Sequence, residues 1–110
     1  MSARTAAATR LIGRWLEPNP HKPGAAEWRI RFTGLPVWRI VGQLAVEACG
    51  DDPAAYRAII DGDVSRELIE RVATYYDVAA EAIEAALAYA GRHPDAVISR
   101  LVLDRAALPG

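Results

Sequence analysis

The sequence is poor in the features that announce chemistry. Its one cysteine, Cys49, has no partner for an internal disulfide and no His or Asn near it in sequence to activate it. It reads as a small buried side chain at the end of an apolar helix, and a reducing cytoplasm is the expected compartment. No apolar run reaches the roughly 20 residues of a membrane span, and Arg10 and Arg14 interrupt the stretch where a secretory signal needs a continuous apolar core. A glycine-rich phosphate loop is missing, and no nucleophile, base and orienting group share a useful spacing, so no enzymatic activity is expected. His21 has no Cys, Asp or second His at ligand spacing, and Asp61-Gly62-Asp63 is not followed by the alternating carboxylates and distal Glu of a calcium loop. Neither a metal nor a cofactor is expected.

What is present is an unequal division of charge. Up to Arg39 the chain carries seven basic residues against Glu17 and Glu27, and from Ile40 onward six arginines against twelve acids. A basic N-terminal arm of this kind suits contact with phosphate, or docking on the acidic remainder of its own fold or of a sister subunit. At 110 residues the chain is one domain with a modest core, which dimerisation would help.

Periodicity sets out the elements. Residues 1–9 are Ala-rich and weakly amphipathic, either a frayed helix or disordered, and residues 11–16 add one anchored helical turn through Ile12 and Trp15. The run EPNPHKPG (17–24) forbids helix and ladder alike and makes an extended loop. From Glu27 to Thr33 apolar and polar residues alternate, with Trp28, Ile30 and Phe32 on one face, which predicts a strand. Its backbone needs a partner, either the N-terminal loop or, as the favoured arrangement, the same strand of a second copy across a two-fold axis, making Trp28, Ile30 and Phe32 the dimer contact. After Gly34-Leu35-Pro36 the rest is helical: a helix with Val37, Ile40, Val41, Leu44, Ala45 and Ala48 buried and ended by Gly50, a short one opened by Asp52-Pro53, and a last one over 95–106 with Val97, Ile98, Leu101 and Val102 buried. The arm and strand thus occupy 1–33 and a helical unit 34–110, within one mainly α domain.

The organising stretch is 66–92. Leu68, Ile69, Val72 and Ala73, then Ile83, Ala86, Leu87 and Ala90, mark two amphipathic helices meeting at Asp77-Val78. Ser65 stands as cap of the first. This is the pattern of a helix-turn-helix, with Ala73 at the crossing, Val78 as the plug of the turn and Ile83 pointing back into the corner. The start of its second helix, however, offers Ala79, Ala80, Glu81, Glu84 and Ala85, without the Arg, Lys, Asn or Gln that read base edges, and its two carboxylates repel phosphate.

The run GLPVWRIVG (34–42), then Tyr76-Asp77-Val78 and EAIEAALAYAGRHPD (81–95), resembles the bacterial family called domain of unknown function 433, and RWLEPNP with KPG resembles the head of a longer subtype. The likeness spans residue 14 to about 103. It implies a homeodomain-like or winged-helix-like helix-turn-helix and a dimeric antitoxin that binds a PIN-type nuclease toxin encoded nearby and represses its own operator DNA. On that implication Arg100 and Arg105, outward on the last helix, would enter the toxin's acidic cleft. DNA would meet Arg66, Arg71, Ala80, Glu81 and Glu84 at the corner and the arm residues Arg4, Arg10 and Arg14. A different class competes with this reading: a dimeric adaptor whose corner has become a protein-binding surface, which the acidic second helix favours. The segment 51–70 is longer than the link such a corner needs, so it adds a helix.

Overall fold

Local chemistry decides where each helix begins in a computed structural model of the chain, which describes residues 3–107. Alanine and arginine are strong helix formers, and α1 (Ala3–Trp15) is one continuous helix rather than a frayed end and a separate turn, held down by buried Ile12. Two-residue strands β1 (Leu16–Glu17) and β2 (Arg29–Ile30) follow, paired antiparallel with Leu16 opposite Ile30. Between them run the proline-rich loop and a single 3-10 turn at Ala25–Glu27. α2 (Val37–Ala48) starts behind Pro36, α3 (Pro53–Ile60) behind Asp52, whose carboxylate accepts from the Ala55 N–H at 2.8 Å, and α4 (Arg66–Tyr76) behind Ser65. α5 (Ala80–Arg92) and α6 (Pro94–Ala107) complete the chain. The C-terminal tail from Leu108 lies outside the described residues. No helix among those described is long and apolar enough to cross a membrane.

The strand is where sequence and structure part. Alternation holds only through Ile30, because residues 31–33 turn and Phe32 takes a positive φ of 70° that leaves its ring wholly in solvent. Both edges of β2 are used inside the chain. The Arg31 N–H donates to Trp15 O at 2.9 Å on one side, and on the other the returning segment receives Ile30 N–H at Leu35 O (2.9 Å) and sends Val37 N–H to Trp28 O (2.8 Å). The expected pairing of Trp28, Ile30 and Phe32 across a two-fold axis is therefore corrected: the partner is the segment after α1, and Ile30 is buried in its own core.

α5 is the centre of the bundle and packs on α1, α2 and α4. Its small residues make this crowding feasible: Ala82, Ala85, Ala86 and Ala90 are buried with Ile83 and Tyr89. α2 and α6 approach as closely, since a Cβ at Gly42 would stand 2.8 Å from Leu101 Cδ2. The hydroxyl of Ser65 accepts from Leu68 N–H at 3.1 Å, which satisfies a helix-end donor. Ser65→Ala is accordingly expected to lower stability by about 1 kcal/mol, read as a lower urea midpoint with unchanged slope.

Candidate functional site

The corner forms through three residues, Asp77 to Ala79. Asp77 ends α4 in the left-handed conformation, and Val78 N–H donates to Ala73 O at 2.9 Å, drawing Val78 onto the core. Ala73 and Ile83 are buried on either side of it. What the geometry does with the exposed face differs from the expectation for a groove-reading helix. Glu84 bonds Arg66, which also holds Glu70 at 3.2 Å, and Glu81 faces Arg14 at 3.6 Å. Arg71 is turned to Glu47 of α2 at 3.8 Å. The carboxylates that would repel phosphate are matched by arginines of the same chain.

α1 lies over this helix. Glu81, Ala85, Ala88 and Arg92 fall on one stripe of α5. At one end Arg14 meets Glu81; at the other Arg92 donates to Thr5 O (3.1 Å) and Thr9 Oγ1 (2.8 Å), so the two helices run antiparallel. From Ala80 through Ala90 no residue of α5 is exposed, and Ala85 is completely covered. Of the residues expected at DNA, Ala80, Glu81 and Glu84 are half-buried, and Arg14, itself exposed, lies 3.6 Å from Glu81. Arg4 and Arg10 are exposed and form no ion pair among the described residues. The basic arm thus docks on the acidic part of its own fold.

The two arginines of α6 separate. Arg105 is exposed and reaches Asp51 at 3.0 Å. Arg100 is not outward: its guanidinium lies 4.1 Å from the centre of the Trp38 ring, 3.1 Å from Glu27 Oε2 and 3.7 Å from Asp104. Trp38 Nε1–H donates to the other oxygen of Glu27 at 3.3 Å. A planar cation held between an indole face and a carboxylate is part of the packing, so the expectation that Arg100 stands outward on the last helix is corrected. Glu27 is the hub that sequence reasoning missed. It precedes Trp38 by 11 residues and Arg100 by 73, and nothing in local spacing links the three.

No family model, curated protein or solved structure matches the chain. The functional reading therefore rests on its residues.

Two further features concentrate chemistry. The first is a cleft of about 530 Å³ between the proline-rich loop, α1 and the end of α5. Its floor is a ladder of rings, Trp28 stacked on Tyr89 with centroids 5.1 Å apart and His93 4.6 Å beyond. The second is a chain of polar contacts in which the Tyr56 hydroxyl donates to Asp51, itself paired with Arg105. No group of three or more His, Cys, Asp or Glu is placed to hold a metal among the described residues.

Burial, reinforced by the bond to Asp51, pushes the Tyr56 phenol up to about 12, and burial alone does the same to Tyr89, whose hydroxyl donates to Ala25 O at 2.6 Å. The folded state therefore holds these protons more tightly than the unfolded chain. That contribution to stability is complete below pH 10 and is lost as pH rises towards 12. In an absorbance titration at alkaline pH, two of the four tyrosines are expected to ionise only near 12, together with loss of helix signal. Tyr56→Phe should remove one of those two late steps.

Proposed function

We propose that this chain is an antitoxin-like regulatory protein that works through protein contact, its corner a helix-turn-helix whose second helix serves as an internal packing element while α1 is seated. The observation that carries this reading is the partly covered state of α5: a helix that reads base edges must present a free face to the groove, and from Ala80 to Ala90 this one has no fully exposed residue, with Glu81 and Glu84 half-buried and held by arginines. Partner contact falls instead to α6, where Val102 and Leu103 are exposed beside the outward cation of Arg105. Apolar side chains ringed by charge are the common anatomy of a docking surface. The partner class is the small nuclease-like toxin implied by the family resemblance, with Arg105 as the residue offered to its carboxylates. Self-association belongs to the same reading and uses the solvent-exposed Phe32 ring, not a strand edge.

The test is a tagged pull-down from cells expressing the gene with its genomic neighbours, read by mass spectrometry. Stoichiometric recovery of a small nuclease-like neighbour, lost on Leu103→Glu, supports the reading. Recovery of this chain alone, with retardation of upstream DNA at low salt, overturns it. In that event Arg4 and Arg10 become the first phosphate contacts to replace.

A further inference from the structure

We infer that the cleft between the proline-rich loop and the end of α5 binds a nucleoside phosphate, its base on the aromatic floor and its phosphate between Lys22 and Arg92. This rests on none of the partner contacts proposed above. The floor is built from Trp28, Tyr89 and His93: Trp28 stacks on nearly buried Tyr89 and His93 is tilted against it by 33°, so the ring faces left for a ligand are those of Trp28 and His93. Aromatic faces of this kind take a nucleobase with little regard to its identity. The walls supply charge of one sign. Lys22 and Arg92 line the cleft, and no Asp or Glu does. Lys22 forms no ion pair among the described residues, and Arg92 donates only to neutral acceptors, Thr5 O and Thr9 Oγ1, leaving both cations with their charge uncompensated. In a chain where most arginines are matched by a carboxylate, two cations lining one acid-free aromatic cleft favour an anion.

Size and rigidity agree. About 530 Å³ lies inside the range of roughly 300–1,000 Å³ usual for small-molecule sites. Pro18, Pro23 and an Asn19 side chain that accepts from His21 N–H at 2.8 Å restrain the loop that forms one wall, so little ordering is needed on binding. Asn19 keeps its amide donors for a base edge or a ribose hydroxyl. The same chemistry comes from a free mononucleotide or from the phosphorylated end of a single strand.

The experiment is a titration of the whole chain followed by NMR at the Trp28 indole N–H, with four probes: AMP, adenosine, inorganic phosphate and a short single strand bearing a 5′-phosphate. AMP is expected to shift that resonance and to bind at least about tenfold more tightly than adenosine or phosphate. Lys22→Gln, an exposed substitution outside the core, should weaken AMP about tenfold and leave adenosine unchanged. The single strand binding more tightly than AMP would assign the site to strand ends, and the reverse to free nucleotide; either result supports a nucleoside phosphate. Phosphate alone binding as well as AMP, an indifferent Lys22→Gln variant, or an unmoved indole resonance at millimolar AMP would each overturn the inference. So would preferential binding of a proline-rich peptide in the same assay.

Discussion

Replacing Trp38 by alanine is expected to lower the stability of the fold by about 3–5 kcal/mol, the largest loss for any single residue of the α2–α6 contact. Two effects combine. The indole is 5% exposed, so its removal leaves a cavity in the core. It also strips Arg100 of the ring 4.1 Å away and Glu27 of an N–H donor. Glu27, its side chain only 13% exposed, then depends on Arg100 alone. Arg100→Ala should cost less, about 1–2 kcal/mol, because the pair is partly solvated and charge in reach of water is screened. The double variant should cost less than the sum of the singles, since both act on one network. Urea midpoints of the four proteins measure all of this. An unchanged midpoint for Arg100→Ala would return that arginine to the free surface cations and restore the role that the family resemblance implies for it.

That network shows why some of the molecule is legible in sequence and some is not. Helix starts are written locally, in Ser65 and in Asp52-Pro53, and both caps form. The stripes of α2 and α4 are written at one-turn spacing and are buried from Val37 to Ala45 and at Leu68, Val72 and Ala73, whereas Ala48 and Cys49, expected inside, are exposed where α2 ends and Ile69 is half-buried. The strand misleads because alternation describes side-chain direction only while the backbone stays extended. Gly34 and the positive φ of Phe32 end that after Ile30, a decision made by the turn and not by the pattern. α6 misleads for a different reason. Apolar residues occur on more than one of its sides, Val97 and Leu101 inward and Val102 and Leu103 outward, so position along the helix does not say which way Arg100 faces. Pairs such as Trp28 with Tyr89, 61 residues apart, carry no local signal at all. The charge division, by contrast, is a long-range statement that sequence does make, and Arg14 on Glu81 is its physical outcome.

Ala85→Glu is expected to unseat α1 and leave the remainder folded. Ala85 is fully covered, on the stripe of α5 between the Glu81–Arg14 contact and the bonds of Arg92 to Thr5 and Thr9. A carboxylate at this fully covered position must be stripped of water, and that costs more than releasing a helix held chiefly by Ile12 and half-buried Leu11 and Trp15. The loss of stability is expected to be about 2–4 kcal/mol. Its signature is local: amide exchange across 4–14 should approach the unprotected rate while the amides of α2 and α4 stay protected. Ala48→Glu, at the exposed last residue of α2, is the control and should change neither. Slow exchange throughout α1 in the Ala85→Glu protein would mean that the helix tolerates a charge beneath it and is no removable cover. With α1 lifted, the test of function becomes sharp. Because Ala85→Glu adds a carboxylate to the face in question, the DNA test uses Ile12→Asp, which releases α1 and leaves Glu81, Ala85 and Ala88 unchanged and free to solvent: a helix able to read DNA should retard upstream fragments in that variant and not in the parent. Unaltered partner recovery without any retardation is the result expected from a corner that holds the fold together while α6 meets the partner.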